Sequence, residues 1–299
     1  MASINRRNPV RTAFQKLWKN KLATICFFVL IIEILMVVFA PVIAPYDYAA
    51  QDPAIRLRPG IWAKNSADPN PMNAYVEGHI LGTDNFGRDI FSRLLFGGRI
   101  SLMVGFVSTG MGLFVGVICG LLAGYYKKLD NIIMRFMDML FTFPGILLAM
   151  LIIAMFGVST FNAMLAISIW SIPSFARMVR GKVLQVKEED YVMATRSLGA
   201  KDSRIIFIHI LKNCLPTIIV IATMRMATSI ISISTLSYLG MGVTPPMPEW
   251  GGMIAAGKEY MWQRPSMIFI PGIAVMITVI CFNILGDKLR DILDPSLRD

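Results

Sequence analysis

Long apolar runs are the feature that most constrains the fold of this chain. The run from about residue 22 to residue 44 contains a single charged residue, Glu33, and runs of similar length recur along the sequence. A helix needs about 20 apolar residues to cross the hydrocarbon core of a bilayer. The chain is 55% hydrophobic and only 16% charged, whereas soluble domains carry about 25% charged residues. The sequence therefore predicts an all-α integral membrane protein.

Six runs have the length of membrane-spanning helices, and the basic residues indicate their orientation. Lys and Arg are enriched in the cytoplasmic loops of membrane proteins. Segment 1–21 has six basic residues and no acidic one, so we expect it to be cytoplasmic. Alternation along the chain then places 17 basic residues on the cytoplasmic side and eight outside. The predicted spans are 22–44, 100–124, 132–157, 161–180, 214–243 and 268–286.

The segments between the spans follow from this topology. The extracytoplasmic loop 45–96 is rich in Pro, Asn and Asp, which favour turns. At its end, residues 90–95 place apolar side chains at helical spacing, with Asp89 and Arg93 on the other side. This pattern predicts a short amphipathic helix lying at the outer membrane surface. The main transmembrane domain then covers 97–287, and the cytoplasmic tail covers 288–299.

One predicted span carries small residues at every fourth position. In the span 100–124, Ser108 is followed by four glycines at the same spacing. Small side chains at this spacing leave a groove in which another helix can approach closely. We therefore expect a helix-packing surface made of Gly112, Gly116, Gly120 and Gly124.

Two ionisable residues, Glu33 and Arg225, lie nearer the middle of predicted spans. A charge at the bilayer centre costs about 2.5–3.5 kcal/mol on insertion scales, so such residues usually face a bundle interior or a water-filled cavity. Glu33 and Arg225 are thus candidates for the wall of a translocation path, or for contact with each other. Arg135 and Asp138 lie in the first turns of their span, where they can reach the membrane surface.

The sequence lacks the clustered residues of a membrane enzyme. The two histidines fall on opposite sides of the predicted topology, and the four cysteines form no CxxC pair. Residues 252–259, GMIAAGKE, resemble a phosphate-binding loop but end in Glu259, where such a loop needs Ser or Thr. We therefore expect no catalytic residue, no bound metal or cofactor and no ATP hydrolysis by this chain. The net charge of +10 is explained by cytoplasmic loops, so nucleic acid is not an expected partner.

A charged segment, 188–213, interrupts the apolar runs on the predicted cytoplasmic side. The acidic residues 188–190 favour the start of a helix, and Gly199 can take the left-handed conformation that ends one. Asp202 or Ser203 can cap a second helix. The expected helix–glycine–helix elbow could dock on another protein or rest on the lipid surface, and periodicity alone does not separate the two. The predicted face of its first helix consists of Tyr191, Ala194, Thr195 and Leu198.

The elbow resembles the EAA loop of ABC-importer permeases. The matching residues are Asp190-Tyr191-Val192, Ala194-Thr195, Leu198-Gly199-Ala200 and His209-Ile210-Leu211. Four further segments are similar to the DppC and OppC type of permease, which serves dipeptide and oligopeptide importers, and the resemblance extends over nearly the whole chain in the expected order. These segments are FAPVIAPYD (39–47), LGTDNFGRDIFSRLLFGGRISL (81–102), YLGMGVTPPMPEWGGMI (238–254) and FNILGDKLRDILDPSLR (282–298).

The resemblance implies a type I ABC-importer permease fold in the cytoplasmic membrane, with both termini in the cytoplasm. The implied partners are a second, homologous permease, two ABC ATPases that bind ATP and magnesium, an extracytoplasmic solute-binding protein and a peptide cargo. The elbow would then receive force from the ATPases, with Gly199 as its turn. The implied coupling residues are Asp190, Tyr191, Ala194, Thr195, Arg196, Leu198, Gly199 and Ala200.

Two positions depart from the family pattern. Lys212 stands where the family usually has Pro, so we expect a softer kink there or one displaced to Pro216. Thr195 replaces a typical alanine, a small change that should still fit a groove.

Three other functions are compatible with the residues alone. The same machine could carry nickel chelates, metallophores or other small solutes. An ion-coupled secondary carrier could use Glu33 and Arg225 without an ATPase. A membrane scaffold would transport nothing.

Overall fold

The computed structural model describes Trp18, residues 20–65, Asp68 and residues 70–293. Most of the predicted cytoplasmic segment 1–21 and the end of the predicted tail 288–299 lie outside these described residues.

The described part of the chain is mainly helical. Among these residues, β-pairing occurs only as an isolated bridge between Thr83 and Asp89. A helical turn, Asp202–Arg204, and a π-helical segment, Ile205–Ile210, lead directly into α7. The α-helices of eight residues or more are α1 (Lys21–Val38), α2 (Ile90–Tyr125), α3 (Lys127–Thr142), α4 (Gly145–Phe156), α5 (Thr160–Val186), α6 (Asp190–Ser197), α7 (Leu211–Tyr238), α8 (Trp250–Gly257) and α9 (Ser266–Leu293).

Four described helical segments are long and apolar enough to cross a membrane: α1, α2, Asp202–Tyr238 and α9. The predicted span 132–157 is not one continuous helix, because the structure divides it into α3 and α4, bent by 90° at the break. A proline disfavours the helical conformation of the residue before it. Pro144 therefore explains the break, since Phe143 is extended with φ −85° and ψ 133°. The bent pair gives a fifth candidate span.

The predicted span 161–180 corresponds to the longer helix α5. Its C-terminal half carries Arg177, Arg180 and Lys182, and α5 is not among the described helices that are apolar enough to cross a membrane by composition. Contacts with α2, α4 and α7 bury much of it instead. Neighbouring helices thus compensate for a composition that would be costly against lipid.

The prediction of a separate amphipathic helix at 90–95, lying at the membrane surface, is wrong. Those residues form the first turns of α2, which continues to Tyr125. Ile90 and Leu95 are only 2% and 4% exposed, and Ile90 packs in an apolar cluster with Trp250. Protein, not lipid, covers this apolar face.

The ionic residues near the start of α2 form a buried network instead of an exposed polar face. One oxygen of Asp89 accepts the backbone N–H of Ser92 at 2.7 Å, and the other lies 3.0 Å from Nδ1 of His79. Arg93, which the sequence places on the same face as Asp89, lies 3.5 Å from a carboxylate oxygen of Asp84. These contacts attach the loop before α2 to the N-terminal end of that helix.

The glycine stripe of α2 lies against α5. A Cβ atom added at Gly116 would lie 2.5 Å from Cβ of Phe175, and one at Gly120 would lie 2.6 Å from the carbonyl oxygen of Ala176. Both distances are shorter than real Cβ contacts, so a side chain at either position would push the helices apart. Gly110, on the same helix, has nothing within 4 Å. Equally close approaches to α5 occur at Gly112 and Gly124.

A buried carboxylate joins three helices. Glu249, which is 2% exposed, caps α8 by accepting the backbone N–H of Gly252 at 2.9 Å. It also accepts the hydroxyl of Ser101 in α2 at 3.0 Å and that of Ser234 in α7 at 3.3 Å. A buried carboxylate with several donors is strongly held, so α8 is fixed to the bundle.

Candidate functional site

The elbow predicted at 188–213 is present, and its first arm is the helix α6. Val192 anchors this helix: it is 1% exposed and belongs to an apolar cluster with Val183 of α5 and with Ile205 and Ile210 of the second arm. Burying a valine side chain contributes about 1.5 kcal/mol or more to stability. The elbow is therefore a packed part of the fold and not a free loop.

The face predicted for α6 lies mostly on the exposed side of the helix. Leu198 is 88% exposed, and Tyr191 is 42% exposed. The buried position is Val192, and Met193 beside it is 47% exposed. The helix is too short for its periodicity to determine which side packs against the bundle. The buried residues Val179, Val183 and Val186 of α5 form the surface against which Val192 packs.

Gly199 forms the turn of the elbow with a left-handed φ of +77°. Its N–H donates to the carbonyl of Arg196 at 2.9 Å, and the N–H of Ala200 donates to the carbonyl of Thr195 at 3.3 Å. These two bonds satisfy carbonyl groups at the end of α6, as a left-handed C-terminal residue does. An added Cβ at Gly199 would meet nothing within 4 Å, so the position requires a conformation and not a small volume.

The second arm begins differently from the prediction. Lys201 is the residue before the first helical turn, and no side chain caps that turn. The carboxylate of Asp202 instead accepts the hydroxyls of Tyr125 at 2.6 Å and of Tyr126 at 3.1 Å. Asp202 thereby ties the elbow to the C-terminal end of α2.

Three more contacts hold the elbow against the bundle. The hydroxyl of Tyr191 accepts a hydrogen bond from the side-chain amide of Asn213 at 2.8 Å, and burial raises the pKa of Tyr191. The guanidinium of Arg196 lies 5.3 Å from the ring centroid of Tyr125. Lys187 donates to the carbonyl of Gly124 at 3.1 Å. The sequence missed these partners because each lies far from the elbow along the chain or on its other arm.

The predicted coupling residues form one largely accessible surface. Thr195 and Ala200 are half-buried, and the other six positions are exposed. Met193 adds an apolar side chain that the sequence reading did not include. Exposed apolar groups grouped on one projecting helix are typical of a protein-docking surface.

Glu33 and Arg225 do not meet. Glu33 of α1 accepts the hydroxyl of Thr278 in α9, and its second carboxylate oxygen is buried with no hydrogen-bond partner. Arg225 of α7 donates to the hydroxyl of Ser174 in α5. Glu33 thus links α1 to α9, whereas Arg225 links α7 to α5, and both of these helices pack against α2.

Two family models match the sequence. Residues 112–299 match the binding-protein-dependent transport system inner membrane component. Residues 8–59 match the N-terminal transmembrane domain of oligopeptide transport permease C.

The chain is similar to named proteins over nearly its whole length. It is 42% identical to the dipeptide transport system permease protein DppC of Alkalihalophilus pseudofirmus, covering 97% of this chain and 91% of that protein. It is also 42% identical to the glutathione transport system permease protein GsiD of Pectobacterium atrosepticum, covering 99% and 95%. A solved structure of the MetNI methionine ABC transporter in an inward-facing conformation aligns with a TM-score of 0.56 at 20% identity, covering 68% of this chain and 97% of that one.

Proposed function

This chain belongs to the family of binding-protein-dependent transport permeases, and on that premise we propose that it is the membrane subunit of an ATP-driven importer of dipeptides and oligopeptides. The observation that carries the proposal is full-length similarity to permeases of a dipeptide and a glutathione transport system. Both cargo names denote short peptides. The fold agrees, since the all-helical bundle aligns with an ABC-transporter permease.

The proposed complex contains a second permease, two ABC ATPases and an extracytoplasmic solute-binding protein. ATP and magnesium would bind to the ATPases, and this chain would hold no cofactor. It is a multi-pass protein of the inner membrane, and we place both of its termini in the cytoplasm. In that orientation the elbow faces the ATPases and the Glu249 network faces the binding protein.

The contacts of the elbow explain how it could transmit force. Val192 joins α6 to α5, and Asp202 joins the second arm to the end of α2. The glycine stripe then holds α2 and α5 together along their length. A push on the exposed surface around Leu198 would therefore move α2 and α5 as a pair, which is the rigid-body motion that alternating access requires.

Uptake by the reconstituted complex tests the proposal. The proteoliposomes contain both permeases, the ATPases and the binding protein. We expect them to accumulate a labelled tripeptide only when ATP and magnesium are enclosed inside, where the ATPases face. Unlabelled dipeptides and tripeptides should compete, and nickel chelates should not. Glu33→Gln should retain uptake within about twofold, because the amide oxygen can still accept the hydroxyl of Thr278. Uptake that follows an ion gradient without ATP, and is abolished in Glu33→Gln, would instead support a secondary carrier.

A further inference from the structure

Arg225 is a cation near the middle of a membrane helix that lacks an acidic partner among the described residues. It is half-buried, and one of its terminal nitrogens donates to the hydroxyl of Ser174, near the middle of α5. A guanidinium has five N–H donors. The ion pairs formed by the described residues do not include Arg225, so most of its donor capacity and all of its charge remain available.

A charge at this depth needs compensation. Cations within spans are costly, and they usually face a cavity or a binding partner. Ser174 is neutral and supplies one acceptor oxygen, which does not balance the charge. Glu33, the other ionisable residue near the middle of a span, contacts Thr278 of α9. The missing anion must therefore come from outside the described part of the chain.

The face of α7 that carries Arg225 is polar over three turns. Thr228, Ser232 and Thr235 follow it at spacings of three, four and three residues, which places all four on one face of a helix. Each hydroxyl donates its hydrogen to a carbonyl of its own helix, at 3.0 Å for Thr228, 2.8 Å for Ser232 and 2.8 Å for Thr235. A hydroxyl that donates in this way still has lone pairs that accept. Ser232 is only 9% exposed, so the accessible acceptors on this face are the hydroxyls of Thr228 and Thr235, with the guanidinium at its N-terminal end.

This arrangement is complementary to a peptide backbone. Peptides of different sequence share a terminal carboxylate, an ammonium group and amide N–H groups, while their side chains differ. A carboxylate would satisfy a guanidinium, and hydroxyl oxygens would accept from the ammonium and the amides. We propose that Arg225 binds the C-terminal carboxylate of the peptide in the translocation path, with the hydroxyls of Thr228 and Thr235 along the peptide. This proposal rests on the proposed function.

The test compares a peptide acid with its amide. The reconstituted complex is given trialanine or trialanine amide, and uptake is measured together with ATP hydrolysis stimulated by the binding protein. We expect Arg225→Met to lower uptake of the acid by at least about tenfold, the size of one lost charge-assisted hydrogen bond. Uptake of the amide should change less than about twofold, and stimulated ATP hydrolysis should persist. Arg225→Lys should retain an intermediate preference for the acid.

A matched variant separates binding from a general charge effect. Arg177 of α5 is also a membrane-helix cation, but it is exposed and pairs with Asp138 at 2.8 Å. Arg177→Met should leave the ratio of acid to amide uptake unchanged. If the wild-type complex does not transport the amide, photo-crosslinking measures binding directly. Tripeptides that contain benzoylphenylalanine, one with a C-terminal acid and one with a C-terminal amide, are added to the purified complex without the binding protein. Arg225→Met should then lower labelling by the acid alone.

Three results would overturn the proposal. Equal losses for acid and amide would assign Arg225 a positioning role. Loss of assembly with the second permease would show that an acidic residue of that subunit is its partner. Unchanged selectivity in both uptake and labelling would exclude carboxylate binding. These results differ from a failure of the proposed function, in which the wild-type complex itself would show no ATP-driven uptake.

Discussion

Replacing Gly199 by Val should abolish most ATP-driven uptake while leaving the chain inserted in the membrane. A left-handed backbone costs a non-glycine residue about 1–2 kcal/mol, and a β-branched side chain is the least compatible with it. The position has φ +77°, so the penalty should lower the equilibrium constant for forming the native elbow by about tenfold. We expect uptake to fall by a similar factor or more, and less ATPase to co-purify.

Two control variants isolate the backbone effect from side-chain volume. Gly199→Asn should retain most uptake, because Asn tolerates the left-handed region and an added side chain there meets nothing within 4 Å. Gly181→Ala should also retain uptake, since Gly181 is helical, without a positive φ, and equally unobstructed. Unchanged uptake in Gly199→Val would contradict the coupling role of the turn.

Replacing Gly116 by Leu should destabilise the whole protein. The new Cβ would lie 2.5 Å from Cβ of Phe175 and 2.8 Å from the carbonyl oxygen of Ile172. Neither can move without shifting α5, and overpacking of this kind costs about 1–3 kcal/mol or more. We expect the midpoint of thermal unfolding in detergent to fall by about 5 °C or more, with a lower yield of assembled complex.

Gly110→Leu is the matched control for this prediction. Gly110 lies in the same helix, but an added Cβ there meets nothing within 4 Å. Its unfolding midpoint should remain within about 2 °C of the wild-type value, a shift that corresponds to less than about 1 kcal/mol. An equal fall of the unfolding midpoint in the two variants would contradict this prediction. It would show that stability depends on the number of glycines in α2 and not on the contact with α5.

The parts of the fold that depend on local chemistry could be predicted from the sequence. The apolar runs located the helices, and the spacing of the glycines located the surface along which α5 approaches α2. The turn at Gly199 followed from the conformation that glycine alone adopts easily. These features depend on one segment at a time, so the residues themselves specify them.

The parts that depend on contacts between distant segments could not be predicted in the same way. Residues 90–95 look amphipathic, but only the packed structure shows that Trp250 covers their apolar face. Asp202 looks like a helix cap, yet Tyr125 and Tyr126 occupy its oxygens. The packed side of α6 was likewise decided by the valines of α5. In each case a partner remote in sequence outweighs a local preference.

Photo-crosslinking from Leu198 tests most directly whether an ATPase acts on this chain through the elbow. Leu198 is 88% exposed and projects beside the Gly199 turn, so a photoreactive residue there should label whatever covers the surface. Val42, which is 83% exposed beyond the C-terminal end of α1, serves as the control, because we place it on the opposite side of the membrane. We predict that the probe at Leu198 labels the ATPase in the assembled complex and that the probe at Val42 does not. Labelling of lipid alone from Leu198, in a complex that still transports peptide, would contradict the account.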